Sequence, residues 1–538
     1  MLARMIAFAL LGGGAMAASA ALPAAQQAPI TLFDTADRCQ ACHNGLVTPA
    51  GRDVSIGVDW RASMMAHAAR DPYWQAAVRR ELLDHPTAAV AIEHECSRCH
   101  MPMAHVTQVA EGGQGQVFAH LPIGAAPSPH AALAADGVSC TSCHQIQAQK
   151  LGTPESFTGH FVIDTTTPAD HRQVFGPFAI DAPLQRLMHS ATAYRPAEGA
   201  HVQSSEVCAT CHTLFTHALD DRGHAIGTLP EQVPYLEWRH SAYRTTKSCQ
   251  ACHMPEVTHP VRVSSTLGEP RDAVSRHTFR GANFWMLKVF NRFRAELGIG
   301  TLPQELEAAA EDTLAQLEHD SASLTIEGAA RQGGTLSFDV RVVNRGGHKL
   351  PTAYPSRRVW LHVRAVDPGG RVAFESGGVL RSGAIAGNDN DADALAYEPH
   401  HVELTGADQV QIYENIMVGA NGAVTTGPLS GLRYVKDNRL LPNGFDKTTA
   451  SADIAVRGEA AEDADFTAGG DLVRYRVPVS APGVLTVTVE LLYQSVGHRW
   501  ARNLTGRNAF ETDRFARYYD AMSSVTTARL AVATTAVP

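Results

Sequence analysis

Cysteine is absent from most of this 538-residue sequence, with none before residue 39 and none after residue 252. All ten cysteines fall within five copies of one short pattern, which excludes the irregular spacings of a disulfide framework. Charged residues make up only 18% of the chain, and their formal balance of −9 argues against nucleic acid as a partner. Beyond its first 20 residues the sequence has no apolar run that could cross a bilayer, so no transmembrane segment is expected in the mature chain.

The repeated pattern is Cys-x-x-Cys-His, which is the attachment motif of a c-type haem. Two cysteines at this spacing reach two vinyl groups on one porphyrin edge, and the adjacent histidine ligates the iron. A zinc knuckle or a redox dithiol also uses Cys-x-x-Cys, but zinc sites take such pairs in twos and five is an odd number. The sequence therefore predicts five covalently attached haem c groups. Their thioether cysteines are Cys39, Cys42, Cys96, Cys99, Cys140, Cys143, Cys208, Cys211, Cys249 and Cys252, and their proximal iron ligands are His43, His100, His144, His212 and His253.

The N-terminus has the pattern of a secretory signal peptide. Arg4 gives a positive start, residues 5–15 are apolar, and small residues at 17–20 suit cleavage. We therefore expect residues 1–20 to be removed and the mature protein to be periplasmic or extracellular. Attachment of haem to thiols, which in bacteria takes place outside the cytoplasm, agrees with this expectation.

Composition divides the rest of the chain into three parts. Twenty of the 26 histidines precede residue 280, which predicts a pentahaem cytochrome c domain over residues 21–280. Residues 281–320 are expected to form a helical linker, and residues 321–538 an antiparallel β-sandwich domain. The expected fold is thus multidomain, with an α-helical, loop-rich haem domain followed by β structure.

Two periodicities support the later boundaries. Apolar residues recur at helical spacing in two runs, which are Met286, Val289, Phe290, Phe293 and Leu297, and then Leu306, Ala310, Leu314 and Leu317. From about residue 321 the period changes to two, as in Leu336, Phe338, Val340 and Val342. Further strands are predicted near 361–365, 372–374, 410–413, 472–479 and 484–493.

The second ligand of each iron separates a carrier from an enzyme, because an iron with one protein ligand keeps an open face for a small molecule. Fifteen histidines before residue 280 lie outside the motifs, three for each haem. Three of them, His105, His217 and His259, follow a motif histidine at nearly equal offsets. His201 lies seven residues before Cys208, and His277 lies just before the linker. The predicted distal ligands are His67, His105, His201, His217, His259, His277 and His348.

Two of these predictions have alternatives. Met65 lies in the same segment as His67 and would raise that haem's reduction potential, but such a methionine is more often a core residue and ranks second. His348 lies in a Gly-Gly-His-Lys-Leu-Pro loop of the β region. It either caps a haem and so docks the two domains, or bonds backbone groups of its own loop, and the sequence leaves both interpretations open.

Three segments resemble multihaem cytochromes related to cytochrome c-552/c-554, kin to hydroxylamine oxidoreductase. They are residues 136–144, 205–212 and 237–255, and the resemblance spans roughly residues 35–290. It implies closely stacked haems, mostly with two histidine ligands, in a helical and loop-rich shell. The chain has fewer haem motifs than hydroxylamine oxidoreductase. No motif has lysine in place of histidine, as pentahaem nitrite reductases commonly do at their catalytic haem. Both differences weaken an enzymatic assignment.

The sequence therefore favours an exported pentahaem cytochrome that relays electrons between redox partner proteins. Residues 344–352 and 436–445 resemble a module often attached to such cytochromes, and it would serve docking to a partner or self-association. The alternative function is a reductase or oxidase of a small nitrogen or sulfur compound at one open haem.

Intact-mass analysis of the exported protein should find the mass of five haems added to the mature chain, because each motif forms two thioether bonds. Replacing Cys249 and Cys252 together with serine should remove one haem mass and leave four. A pyridine haemochrome spectrum without the c-type band would contradict the haem assignment.

Overall fold

The computed structural model describes residues 31–538, so the expected signal peptide lies outside the described residues. Helices predominate in the N-terminal half, and the larger sheets lie in the C-terminal half. The fold is multidomain, with helices and several sheets. Among residues 31–538, no helix combines the length and the hydrophobicity needed to cross a bilayer.

The elements before residue 280 are short. The helices are α1 (Asp37–Gln40), α2 (Ile56–Arg61), α3 (Pro72–Asp84), α4 (Ala89–His100), α5 (Pro102–Ala110), α6 (Ala131–Ala135), α7 (Cys140–His144), α8 (Ala182–Thr192), α9 (Ser205–Ala209), α10 (Pro234–Arg239) and α11 (Cys249–His253). Four strands were not expected here: β1 (Gln173–Gly176) pairs in parallel with β2 (Arg195–Glu198), and β3 (Leu214–Leu219) forms a hairpin with β4 (Ala225–Gln232).

Three helices follow, α12 (Phe284–Arg292), α13 (Arg294–Leu297) and α14 (Pro303–Asp320). Most of the apolar positions that predicted them are buried, among them Met286, Phe290 and Leu306. These side chains belong to the largest hydrophobic cluster of the described chain rather than to a boundary between two separate cores.

The C-terminal half contains twelve strands and three helices. They are β5 (Ala322–Gln332), β6 (Thr335–Asn344), β7 (Arg358–Val366), β8 (Val372–Ser376), α15 (Asp389–Ala392), β9 (Glu403–Leu404), β10 (Ile412–Tyr413), β11 (Asn415–Val418), β12 (Val424–Thr425), β13 (Arg433–Asp437), β14 (Asp471–Pro478), β15 (Leu485–Gln494), α16 (His498–Arg502), α17 (Phe510–Met522) and β16 (Thr527–Val537). The sheet orders are β10-β7-β15-β16 with β8 also on β7, β5-β6-β14-β9, and β12-β11-β13. All pairings are antiparallel except that of β9 with β14.

The two larger sheets share one core. Alternate residues of β6 are buried, as the period of two predicts, and Phe338 stacks on Tyr475 of β14 at 4.9 Å between ring centroids. Val363 of β7 and Val489 of β15 are fully buried in the same cluster. Burial of one face of each sheet accounts for their alternating sequences.

Helix α17 joins the C-terminal half to the N-terminal half. It packs on α3, with Phe515 against Tyr73 at 5.1 Å between centroids and Glu511 2.8 Å from Arg79. Trp285 of α12 is fully buried against α17, and its indole nitrogen donates a hydrogen bond to the Met522 carbonyl. The helices after the haem motifs therefore lie between the two halves.

Replacing Trp285 with alanine should lower the free energy of unfolding by about 3–5 kcal/mol, because the cavity left behind cannot refill. Chemical denaturation of the haem-loaded protein, followed by circular dichroism, measures the change. Phe510, which is 67% exposed, is the matched control, and its replacement with alanine should change stability by less than about 0.5 kcal/mol. Equal effects of the two substitutions would contradict this packing.

Candidate haem site

All five motifs line one connected cavity. Its volume is about 2060 Å³, and its lining includes all ten cysteines and all five motif histidines. A site for one drug-sized ligand holds about 300–1,000 Å³, so this cavity suits several large groups. The residues that face it are mostly apolar, as a porphyrin requires.

The motif histidines are held by backbone carbonyls. Nδ1 of His43 lies 2.5 Å from the Val263 oxygen, and Nδ1 of His100 lies 3.0 Å from the Ala68 oxygen. His144 and His253 make the same kind of bond, to the carbonyls of Phe175 and Arg280. A proton on Nδ1 leaves Nε2 as the free, metal-binding nitrogen, which is the usual outer hydrogen bond of a ligating histidine.

Burial lowers the pKa of four of the five motif histidines, which favours their neutral form. It lowers the pKa of His100 and of His212 to about 4. A neutral imidazole is the form that binds a metal. His212 differs from the other four, because it makes no Nδ1 bond to a carbonyl within residues 31–538.

Two pairs of cavity histidines have the separation of ligands on opposite sides of one iron. The ring centroids of His144 and His277 are 6.3 Å apart with planes inclined by 22°, and those of His253 and His348 are 6.2 Å apart with planes inclined by 14°. A metal–imidazole bond of about 2.0–2.1 Å, with the centroid about 1.1 Å behind the nitrogen, places trans rings about 6.2 Å apart. Both pairs therefore fit an iron between their rings.

The rings of His277 and His348 are held in the same way as those of the motif histidines. Nδ1 of His277 lies 3.1 Å from the Ser275 carbonyl oxygen, and Nδ1 of His348 lies 3.0 Å from the Lys349 carbonyl oxygen. Each ring is thus left with a free Nε2. All four rings therefore have Nδ1 bonded to a carbonyl, and each pair has the spacing of trans ligands. These residues fit haem iron.

His217 is the remaining cavity histidine outside the motifs. It lies on β3, and its Nδ1 is 3.3 Å from Thr228 Oγ1, which again leaves Nε2 free. The tip of the β3–β4 hairpin approaches the turn that leads into α4, since a Cβ at Gly223 would lie 2.8 Å from Thr87 Oγ1. Eight histidines therefore line a cavity with five motifs, for ten axial positions.

The other four predicted distal ligands do not line the cavity. His67 is buried against Phe290 with its Nε2 3.2 Å from Thr301 Oγ1, while Met65 of the same segment does line the cavity. His105 bonds Ser97, His201 donates from Nε2 to the Ile146 carbonyl at 2.8 Å, and His259 is exposed.

Nearly equal sequence offsets from a motif do not give equivalent positions in the structure. His105 lies in α5, His217 lies in strand β3, and His259 lies in an irregular segment after α11. A helix, a strand and a loop advance by different distances per residue and turn side chains to different faces. This is why only His217 of the three faces the cavity.

Neighbouring motifs in space differ from neighbours in sequence. Cysteine side chains of different motifs lie next to one another: Cys39 beside Cys140, Cys99 beside Cys211, and Cys208 beside Cys249. The first motif therefore adjoins the third, and the fourth adjoins both the second and the fifth. Cys143 of the third motif also lies near Cys211 of the fourth.

A buried ionic network holds the loop of His348. Glu237 of α10 accepts hydrogen bonds at Oε2 from the Lys349 backbone nitrogen at 3.1 Å and the Thr352 hydroxyl at 2.6 Å. Its Oε1 lies 2.8 Å from Arg439 Nη1. A carboxylate from the haem region thus binds the loop that carries a candidate ligand from the β region.

Asp437 completes the network. It lies 2.8 Å from Lys349 Nζ and 2.8 Å from Arg439 Nη2, and all four side chains are at most 5% exposed. Burial alone would raise the pKa of Asp437, but Arg439 and Lys349 outweigh burial and hold it at about 2. Two cations and two anions balance, which a buried network requires.

A different group in the β region has the composition of a metal site. His400 Nε2 lies 3.1 Å from Asp463, and Asp471 completes a buried cluster. The amides of Gln411 and Asn438 donate to His400 Nδ1 at 2.9 and 3.1 Å. Nδ1 is therefore an acceptor and Nε2 carries the proton, so the cluster is a hydrogen-bonded one.

Comparison with known proteins agrees with a haem-protein fold. A crystal structure of a penta-heme cytochrome c552 from Thermochromatium tepidum superposes with a TM-score of 0.54 at 15% sequence identity, over 95% of this chain and 100% of that chain. The similarity therefore extends through both halves of the chain and establishes the fold of a multihaem cytochrome c in outline. No protein-family model matches the chain, and no curated protein does.

Replacing Glu237 with alanine should lower the free energy of unfolding by about 3–5 kcal/mol, because Arg439 and Lys349 would then outnumber their buried counter-charges. Denaturation of the haem-loaded protein measures this. Glu327, whose pair with Arg341 is about half exposed, is the control, and its replacement with alanine should change stability by less than about 1 kcal/mol. A loss at Glu237 no larger than at Glu327 would argue against the network.

Proposed function

We propose that this protein is an exported pentahaem c-type cytochrome that passes electrons through closely packed haems between redox partner proteins. The observation that carries the proposal is the pair of histidine couples, His144 with His277 and His253 with His348, at the spacing of trans iron ligands. The connected cavity around all five motifs supports it. The haem groups supply the redox chemistry, and the protein residues tether, orient and insulate them.

The ligand assignment follows from these contacts. The third haem takes His144 and His277, and the fifth takes His253 and His348. His217 is assigned to the second haem, opposite His100, because its neighbour Thr216 bonds Glu231, which lies close to Cys96 of the second motif. Met65, which lines the cavity, is a candidate for one of the two remaining irons.

The motif neighbours suggest a branched path for electrons. The first haem adjoins the third, the third adjoins the fourth, and the fourth adjoins the second and the fifth. Electrons that enter at one end therefore pass the fourth haem before they leave. The branched path has three ends, at the first, second and fifth haems, and each end could exchange electrons with a different partner.

The β region has a role beyond docking in this proposal. We propose that this region is a β-sandwich and that its His348 completes the fifth haem site. The network around Glu237 holds the loop that carries His348. Its outer surface remains available for a partner or a second copy of the chain. The export route, through the leader at residues 1–20, and a periplasmic or extracellular location belong to the same proposal.

A reductase or oxidase is the second candidate function, and one observation favours it. Eight histidines face ten axial positions, so two irons have no facing histidine, and every histidine of the chain lies within the described residues. Met64, Met65, Met188, Met254 and Met286 also line the cavity. An iron that takes none of them would have an open face for a small nitrogen or sulfur compound.

Replacing His348 with alanine should convert one haem from low spin to high spin, because its iron loses an axial ligand. Replacing it with methionine should instead keep that haem low spin and raise its reduction potential. Low-temperature electron paramagnetic resonance and spectroelectrochemistry measure both effects. His259, exposed and close in sequence to the same motif, is the matched control, and its replacement with alanine should leave all spectra unchanged.

Opposite results would reject the ligand assignment: a high-spin haem in the His259 variant, or none in the His348 alanine variant. The same spectra on the unaltered protein separate the two functions. Low-spin haems that do not bind cyanide or nitrite support electron transfer, whereas a high-spin haem that binds either one supports the enzyme.

A further inference from the structure

A group of titratable side chains lies on the cavity wall near the second motif. It consists of Glu81 from α3, Glu231 from β4, and two tyrosines, Tyr73 and Tyr354. None of these residues belongs to a motif or to the histidine pairs. Both carboxyl groups lie close enough to Cys96 to raise the pKa of its thiol further, although burial is the largest cause of that rise.

Glu81 is a buried carboxyl without a counterion. Its residue is 6% exposed, and neither side-chain oxygen makes a hydrogen bond of ordinary geometry. His85 Nε2 is 3.9 Å away and is bonded to Ser430 Oγ. The neighbouring Arg80 is engaged by Asp84 and by Thr426, at 3.1 and 2.9 Å.

Glu231 is nearly as buried, at 7% exposed, and its one side-chain partner is Thr216 Oγ1 at 2.5 Å. Burying an ionised carboxylate is expensive without a cation beside it, so burial favours the protonated form. Burial raises the pKa of Glu81 and of Glu231 to about 7 in each case. Both carboxyl groups are therefore expected to gain or lose a proton near neutral pH.

The groups that face this pair do not titrate in the same range. Burial raises the pKa of Tyr73 and of Tyr354 far above 10, so both stay neutral. Burial also raises the pKa of Tyr434, whose hydroxyl reaches the Glu231 carbonyl, and lowers that of His85, so both stay neutral as well. The charged residues nearest to Glu81 are Arg80 and Asp84. Glu93 and Glu95 lie near Cys96 of the second motif.

We propose that Glu81 and Glu231 form a proton-binding site that takes up one proton when the haem attached at Cys96 and Cys99 is reduced. The inference rests on the proposed function, because it requires a redox-active haem at the second motif. An external donor, or an electrode, supplies one electron that converts ferric iron to ferrous iron. One proton from solvent forms an O–H bond with a carboxylate oxygen, and both leave again on oxidation.

Electrostatics sets the sign of the effect. Ferric haem carries one more positive charge than ferrous haem, so reduction favours the protonated carboxyl. The potential of that haem should therefore fall as pH rises through neutrality and level off on both sides. One proton per electron is a tenfold change per pH unit, equivalent to about 59 mV for a one-electron couple, which is the upper limit.

The test is spectroelectrochemical titration of the haem-loaded protein between about pH 6 and pH 8, on the unaltered chain and on Glu81→Gln, Glu231→Gln and the double variant. One haem should show a pH-dependent potential in the unaltered protein, each single variant should weaken that dependence, and the double variant should abolish it. Glu95→Gln is the control, because Glu95 lies beside Cys96 but its side chain is 52% exposed. It should keep the full pH dependence.

A pH-independent potential in the unaltered protein would overturn the proposal, and so would a dependence that persists in the double variant. The latter result would assign the proton to the haem propionates. Redox-difference infrared spectroscopy of the unaltered protein gives a second reading that needs no variant: reduction should increase the band of a protonated carboxyl. Haem content by mass and haemochrome is measured first, so a missing haem, which fails the proposed function, is distinguished from a missing proton.

Discussion

In the proposed ligation, one iron takes one imidazole from each half of the chain and would fix the two halves against each other. His253 lies at the end of a motif helix, and His348 lies in a loop between β6 and β7, yet their rings are parallel to within 14° at 6.2 Å. A coordination bond near 2 Å tolerates displacements of only a few tenths of an ångström. The loop must therefore be held in place by the protein itself, and the contacts of Glu237 with the Lys349 nitrogen and the Thr352 hydroxyl do this at the residues beside the ligand.

Holding a loop with buried charges costs desolvation free energy, so the network must serve a purpose other than net stability. A buried network of two cations and two anions contributes little net stability compared with apolar residues of the same size. Stability comes instead from the large hydrophobic cluster, which includes Phe290 and Leu306 of the central helices and Phe338 of the β region. Apolar packing permits a loop to slide, whereas ion pairs and hydrogen bonds specify one position. We infer that the network provides positional specificity for His348, while the cluster provides the binding energy between the halves.

The five motifs could be located from the sequence, but which other histidines face the cavity mostly could not. Cys-x-x-Cys-His is a local signal, and local signals survive any tertiary arrangement. The side chains that face the cavity are set by tertiary structure, so the nearly equal offsets of His105 and His259 from their motifs did not predict where these residues lie, because different backbone conformations follow the motifs. The long alternating strands were predicted for the same local reason, whereas β1 to β4, with their short and mostly unpatterned sequences, were missed. The segments around Glu237, Lys349 and Asp437 stood out in sequence as separate marks of resemblance, and the structure brings them together in one network.

The order of motifs in space changes how charge must be managed within the cavity. Cysteines of the fourth motif lie near those of the second, third and fifth, so in the proposed arrangement an electron on the fourth haem would be felt by three neighbours through a medium of low dielectric constant. Adding electrons to such a cluster becomes harder with each one unless a positive charge arrives as well. A buried carboxyl without a counterion, such as Glu81, can accept that charge as a proton, whereas a carboxylate already paired with arginine, such as Asp437, cannot. The two kinds of buried acid thus serve opposite purposes: the paired one keeps its charge and holds a ligand loop, and the unpaired one can change its charge as electrons pass.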